Sequence, residues 1–346
     1  MAYALPGANN GYIPSFDVTG NLIVGFSRNP KDFKINQYMT LTPVKQSIGY
    51  YARINPITNT RIQTADGSAE IWADGADAPE GPVLNQEHDF LSYTTQRYLR
   101  EARLGYLAVE QAAFDIKKFH TDGLGVQCMT RRTQLGLTAL QDTTQYPTSH
   151  VSTVTNLAGG FWSTGTVINP VIQKTLAAVG RQVSLDTAST VKYSQLTLLI
   201  NPLVADAMAR SAEMRDFIAK SPFVMDQITG NKKGVNSEYG LPDQIYGMKL
   251  IVEDAVGTTT NRANGAPDTG YLLGSNQALV INRPGDLVKD FSGRSFSTLH
   301  CFVKEEMNSE YFDDVQNRVH KMRVVDNYAM QVVSPLTGFV LTNVLS

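Results

Sequence analysis

A segment that carries seven carboxylates and no cation constrains this chain more than any other feature. Residues 62–90 hold Asp66, Glu70, Asp74, Asp77, Glu80, Glu87 and Asp89, with neither Lys nor Arg among them. A strand-like run, SIGYYARI, precedes the segment, and a second, FLSYTTQRYL at 90–99, follows it. The layout predicts a long two-stranded arm with an acidic tip. A lone hairpin is marginally stable in water, and about 14 residues of strand at roughly 3.3 Å each reach about 45 Å. An arm of that length needs another surface to lie on, so the chain is expected to be a subunit of something larger. Trp72 stands in the tip, where an exposed aromatic is a natural anchor for a contact.

Bulk properties narrow the class. The chain has 346 residues, enough for an ample core and two or three domains. A hydrophobic content of 42% and a charged content of 18% are globular values. The net charge of −2 carries no global signature of a polyanion reader. No apolar run approaches the roughly 18 residues of a membrane span, and the first residues lack the basic and apolar regions of a secretory signal. Cys128 and Cys301 stand far apart with no C-x-x-C partner, which predicts two buried thiols in a reducing cytosol rather than a disulfide.

Along the chain, residues 1–46 contain Gly7, Gly11, Gly20 and Gly25 and show little periodicity, so they read as an extended arm. Their charge is +2, with Arg28, Lys31, Lys34 and Lys45 set against Asp17 and Asp32. That sign complements the acidic tip, so Arg28, Lys31 and Lys34 are candidates to meet Trp72, Asp74, Asp77 and Glu80 of another copy; a solvated loop face is the plainer explanation. From Leu107, apolar residues recur at helical steps through Val109, Ala112, Ile116, Phe119, Leu124 and Cys128, predicting one long helix over about 107–140. Gly123 and Gly125 interrupt it, each lowering helix stability by roughly 1 kcal/mol relative to Ala. Lys117, Lys118, Arg131 and Arg132 share a stripe that reads as a solvated basic face. Asn169-Pro170 and Asn201-Pro202 each predict a helix start with Asn as cap, and the LTLLI run ending at Ile200 predicts a buried strand. Strand-rich segments close the chain, so the fold class is α+β.

Residues that could carry chemistry do not assemble into a known site. His88, His120, His150, His300 and His320 form no zinc-binding spacing. GNKKG at 230–234 lacks the phosphate-loop spacing, and Gly123-Leu124-Gly125 lacks a third glycine in register. Asp66, Ser68 and Glu70 match the first positions of a calcium loop, but Asp77 stands where the closing Glu belongs and the central Gly is displaced. No catalytic residue, cofactor or metal is therefore expected, and the chain is read as a non-enzyme.

Several longer words carry a resemblance. RLGYLAVEQAAFDIKKFHTDGLGVQCMTRRTQLGLTAL at 103–140 resembles the spine helix of tailed-bacteriophage major capsid proteins, the Hong Kong 97-type fold. LTLLINPLVADAMARS followed by LPDQIYGMKLIVED is similar to the axial domain of that family, and RVHKMRVVDNYAMQVVSPLTGFVLTN to its returning peripheral strands and closing axial strand. The resemblance spans essentially the whole chain. It implies an N-arm at 1–46, an extended loop at 47–104, a peripheral domain at 105–190 and 296–328, and an axial domain at 191–295 and 329–346. The implied function is a major capsid protein whose hexamers and pentamers close into an icosahedral shell around packaged double-stranded DNA. The implied location is the virion, after assembly in the host bacterial cytoplasm, with no membrane involved. Implied partners are further copies of the chain, a portal protein, a decoration protein, and packaged DNA touched non-specifically on the inner face. An encapsulin-like nanocompartment shell is the alternative within the same fold. Because relatives bend their spine helix as the shell expands, Gly123 and Gly125 are its hinge candidates.

Two departures from the family bear on assembly. Only about a hundred residues precede the spine helix, and the arm and loop use them, so a separate scaffolding protein is expected. Some relatives weld subunits by an isopeptide bond from an extended-loop Lys to an Asn. Here no Lys lies between Lys45 and Lys117, and Arg53, Arg61, Arg97, Arg100 and Arg103 cannot deprotonate to attack. An isopeptide bond whose amine comes from this loop is therefore excluded.

Overall fold

The computed structural model describes residues 32–54, 74–75, 77, 88–112, 115–220, 239–258, 269–285 and 296–346. In chain order the first elements are α1 (Ile35–Tyr38), β1 (Met39–Pro43), β2 (Ile48–Ile54), β3 (His88–Thr94), β4 (Gln96–Gly105), α2 (Tyr106–Glu110) and α3 (Ile116–Gln141). Next come β5 (Val151–Thr153), α4 (Val154–Ala158), α5 (Val171–Asp186), β6 (Leu196–Ile200), α6 (Pro202–Arg210) and α7 (Ala212–Lys220). The remaining elements are strands: β7 (Gln244–Ile245), β8 (Met248–Val252), β9 (Val256–Thr258), β10 (Thr269–Tyr271), β11 (Gln277–Asn282), β12 (Leu299–Asp314), β13 (Val319–Val332) and β14 (Phe339–Thr342).

Two sheets organise the molecule. The four-stranded sheet runs β1-β12-β13-β4, with β1 parallel to β12 and the other pairs antiparallel. Helix α3 lies across one face of it. Leu124 and Cys128 meet Leu104, Met322 and Val324, and one to three turns on Met129, Leu137 and Leu140 join Leu299, Cys301 and Tyr328. The six-stranded sheet runs β5-β14-β11-β6-β8-β7. All of β6 is buried because it is covered on both faces: Leu196, Leu198 and Ile200 pack with α5 and α6, while Leu199 joins the core under α3. A strand in that position has no polar face, which is why LTLLI does not alternate.

Several expectations change here. The helix expected over 107–140 comes in two pieces, α2 and α3. Asp115 holds ψ 83°, outside the helical range, and its side chain accepts from Lys118 N at 3.0 Å to cap the second piece. Gly123 and Gly125 do not interrupt α3. Residues 32–46, read as part of an extended arm, pack within the chain itself: Phe33, Ile35, Tyr38 and Met39 are buried in the core under α3, and β1 extends the four-stranded sheet. Helix α5, placed with the peripheral segment 105–190, packs instead on the six-stranded sheet, because its stripe of Val171, Leu176, Val179 and Val183 meets Leu196 and Leu198. Residues 329–332 remain in β13, so the crossover to the six-stranded sheet comes a few residues later than 328.

Helix starts divide the same way. Asn201 caps α6 as expected, accepting from Leu203 N at 2.8 Å with Pro202 at the first position. Asn169 does not cap α5; its side chain accepts from Lys174 Nζ at 2.6 Å. The first amides of α5 go instead to Glu213, 41 residues away in sequence from Ile172. The single helix expected over 203–220 is split at Ser211, whose hydroxyl donates to Met208 O and accepts from Met214 N.

Glu253 ties the N-terminal turn to the six-stranded sheet. It is fully buried, accepting from Tyr38 Oη at 2.9 Å and from Ala255 N at 3.2 Å. Burial holds its carboxyl above the usual range, while the bonds from Tyr38 and Ala255 pull the other way. A carboxyl whose folded value is raised binds its proton more tightly in the folded state. Stability from this group is therefore full below the ordinary carboxylate range and is lost as pH climbs through the folded value. Glu253→Gln, which cannot ionise, should match the wild type in acid and become the more stable protein as pH rises to neutral. Urea unfolding across pH reads this directly, and a stability difference that does not vary with pH would refute it.

Candidate assembly surface

The arm base carries aromatic residues on both faces of a two-stranded ribbon. Strands β2 and β3 pair antiparallel from Ile48–Thr94 to Ile54–His88. Side chains alternate between the faces of such a ribbon. On one face Tyr51 and Tyr93 stack on Phe302 of β12, with ring centroids 5.4 Å and 4.6 Å away. Gly49 lies directly under Tyr93; a Cβ there would sit 2.4 Å from the phenol oxygen, so only glycine leaves room for the stack. Polar ties fix the same end. Lys304 Nζ donates to Ser47 Oγ at 2.7 Å, Thr95 N to Ser47 O at 2.8 Å, and Gln331 Nε2 to Ser92 O at 3.1 Å. The other face presents Ile48, Tyr50 and Phe90, exposed by 62%, 73% and 68%. Three large apolar side chains on one side of a two-stranded ribbon form a patch of the kind that marks an interaction site.

The residues singled out in the sequence are distributed as follows. Asp74 and Asp77 are exposed. Trp72, Glu80, Arg28 and Lys31 lie outside the described residues. Lys34 donates to Val252 O at 2.6 Å and sits 3.8 Å from Asp254, so its ammonium is engaged within its own chain. Gly123 has nothing within 4 Å of where a Cβ would be, whereas Gly125 is buried. The basic stripe does not survive as a stripe. Arg132 is buried and donates through Nη2 to both carboxylate oxygens of Asp326 at 2.8 Å. Arg131 lies 5.9 Å from the ring centre of Tyr98 and donates to Gln134 Oε1 at 2.8 Å.

The metal-ligating and nucleophilic side chains of the described residues are arranged as follows. Among them, no group of three or more His, Cys, Asp or Glu side chains is placed to hold a metal ion. Cys128 and Cys301 are free and buried, and burial pushes their thiols to about 11 and about 12, far from reactive thiolates. His150, fully buried, places Nδ1 2.7 Å from Gly338 O and Nε2 2.7 Å from Asp186 Oδ2, which pins the turn before β5 to the end of α5. No described helix is long and apolar enough to cross a membrane. The aromatic seat of Tyr51, Tyr93 and Phe302 escaped sequence reading. Both strands carry aromatics, but Phe302 lies more than two hundred residues away.

No protein-family model matches this sequence, and no curated protein matches it either. Solved structures do match. A phage-related protein from Bordetella bronchiseptica RB50 superimposes with a TM-score of 0.60 at 11% identity, over 92% of this chain and 94% of its own. The mature capsid of bacteriophage PhiM1 matches with a TM-score of 0.55 at 12% identity, over 93% and 90%. The capsid of cyanophage P-SCSP1u matches with a TM-score of 0.57 at 9% identity, over 94% and 92%. The fold is therefore that of a phage capsid protein. It is the Hong Kong 97-type major capsid fold, in its α+β form, across nearly the whole chain.

Proposed function

We propose that this chain is the major capsid protein of a tailed phage, assembling as hexamers and pentamers into an icosahedral head around double-stranded DNA. The observation that carries the reading is the arm base. A ribbon seated by three stacked rings turns an apolar face outward and leads into an acidic segment, an arrangement that gains its stability from a neighbouring copy. The likeness of the whole fold to phage capsids supports the same reading. In this assignment the four-stranded sheet with α3 is the peripheral region and the six-stranded sheet the axial one. Scaffolding, portal and decoration proteins are the expected partners, with DNA on the inner face. Gly123 and Gly125 remain the proposed bending point of α3.

One experiment tests these points together. Electron microscopy and sedimentation of the purified chain, expressed with its scaffolding protein, should show closed shells. A chain lacking residues 62–90 should fold, by circular dichroism, yet stay as small oligomers. A chain with Gly123→Ala and Gly125→Ala should form precursor shells that fail to expand. Closed shells from the deletion would sink the arm reading, and normal expansion of the double variant would sink the bending point.

A further inference from the structure

A short segment near the start of the described chain fastens the two sheets to each other. Residues 33–43 comprise α1 and β1 and hold on to both sheets. On one side β1 lies parallel to β12, with Thr40 Oγ1 2.8 Å from Ser297 Oγ, and the next amide, Val44 N, donates to Val303 O at 2.8 Å. On the other side Lys34 Nζ donates to Val252 O at 2.6 Å and Lys249 Nζ to Gln37 Oε1 at 3.2 Å, both at β8. Between them Phe33, Ile35 and Tyr38 lie in the core that joins Leu199, Ile251 and Leu279 of the six-stranded sheet to Leu299 and Val303 of β12. Ile35 also meets α3, since a Cβ on Gly136 would stand 3.0 Å from its Cδ1. Apolar side chains fill this joint, yet the Glu253 carboxyl is fully buried beside it. The Glu253 amide donates to Ile200 O at 2.9 Å, which ties the residue to the end of β6. Among the described residues, the charged and titratable groups that face the carboxyl are Tyr38 and Lys34 from the segment and Asp254 beside it. It accepts from Tyr38 Oη and Ala255 N. An ionised carboxylate can accept about four hydrogen bonds, so two leave it short at a buried site. Water would supply the rest if the segment lifted.

We propose that residues 33–43 are a strap between the two sheets whose catch is the proton on Glu253. Protonated, the carboxyl keeps the strap closed; ionised, it favours a form in which α1 and β1 lift and water reaches the carboxylate. The segment is suited to lifting as a unit. β1 is an edge strand with one partner, and α1 has only four residues. The six-stranded sheet keeps its own ladders, β11 to β6 and β6 to β8, when the strap leaves. The buried apolar side chains keep the closed form in the majority at every pH, and the proton sets how often it opens. Burial holds the closed carboxyl above its ordinary range. Opening therefore becomes more frequent as pH climbs from that range towards the folded value, and then levels off. Each opening removes one fastening from the joint between the sheets. The strap belongs to the single chain, so its test does not require shells.

Hydrogen exchange of the full chain, from about pH 4 to about pH 8 and corrected for the intrinsic rate at each pH, reads the opening. Protection of the β1 amides should fall by roughly tenfold or more across this range, while the amides of β6 hold level. Glu253→Gln, which keeps the shape of the side chain and cannot ionise, should hold the β1 amides level as well. Tyr38→Phe should lower their protection more at neutral pH than in acid, because the lost hydroxyl serves the ionised carboxylate most. His300 also touches the strap, its Nδ1 lying 3.1 Å from Thr42 Oγ1. A pH trend that persists in Glu253→Gln would belong to His300 and overturns the proposal. Protection that does not vary with pH in the unaltered chain overturns it too. So does a parallel loss in β6, which would make the opening that of the whole protein. A Tyr38→Phe chain weakened equally at every pH would separate the strap from the proton and overturn it as well.

Discussion

Glu213→Ala should destabilise this protein by about 4 kcal/mol, because it strips one buried and two part-buried donors of a buried acceptor, at up to about 3 kcal/mol for the first and about 1 kcal/mol for each of the others. Glu213 is 3% exposed. Its carboxylate accepts from Ile172 N at 2.9 Å, Gln173 N at 2.8 Å and Tyr246 Oη at 3.0 Å. The first two are among the orphan amides at the start of α5, where the helix dipole also favours negative charge. Gly165 is shaped around the same group, since a Cβ there would lie 2.6 Å from Glu213 Oε2. Removing the carboxylate therefore loosens α5, the turn before it and the start of α7 together. Glu213→Gln, which keeps one acceptor oxygen, should fall between the two. Equilibrium unfolding in urea gives the measurement. An alanine variant within about 1 kcal/mol of wild type would mean that water replaces the side chain at these amides.

Arg132→Ala should cost a comparable amount for a different reason. The Arg132–Asp326 pair is bidentate, and the two side chains are only 8% and 1% exposed. Burial pushes the Asp326 carboxyl up and the Arg132 guanidinium opposes it. Without the arginine, α3 would cover an uncompensated carboxylate on β13, and breaking one side of a buried pair costs about 3–5 kcal/mol. Replacing both partners, as Arg132→Met with Asp326→Leu, should recover most of the loss, since a buried pair contributes little beyond a well-packed apolar substitute. A double-mutant cycle measures this. If the single and double variants were equally unstable, the defect would lie in packing around Tyr328 rather than in the charge.

If the chain is the proposed shell subunit, both sites bear on its assembly. The Arg132–Asp326 pair fastens α3 to β13, and Glu213 fixes α5 on the six-stranded sheet. A subunit that shares load with its neighbours needs its long helix and its sheets to move as a unit. Inside each chain these buried polar ties supply that rigidity, while the exposed face of Ile48, Tyr50 and Phe90 faces outward.

The sequence by itself determined what depends on short range. The apolar LTLLI run specified a strand covered on both faces, and Asn201-Pro202 specified the start of α6; the runs flanking the acidic stretch do pair as β2 and β3, but FLSYTTQRYL divides at Thr95 and its second half, in β4, pairs with β13. Asn201 is a good case, because its amide bond partner is two residues on. The tertiary structure decided everything whose partner lies far along the chain. Asn169-Pro170 had the same local form as Asn201-Pro202, yet α5 is capped by Glu213, because chain folding brings a carboxylate to those amides and turns Asn169 to Lys174. Arg132 sat at helical spacing from other cations and read as solvated, yet β13 places Asp326 against it. Ile35 and Tyr38 lay in a segment with little periodicity that read as an extended arm, and Glu253 and the core under α3 hold them. A buried polar or irregular residue is fixed by whichever element crosses it, and crossings are set by the packing of whole sheets and helices. Periodicity records which face of an element is buried; only the assembled fold decides what it is buried against.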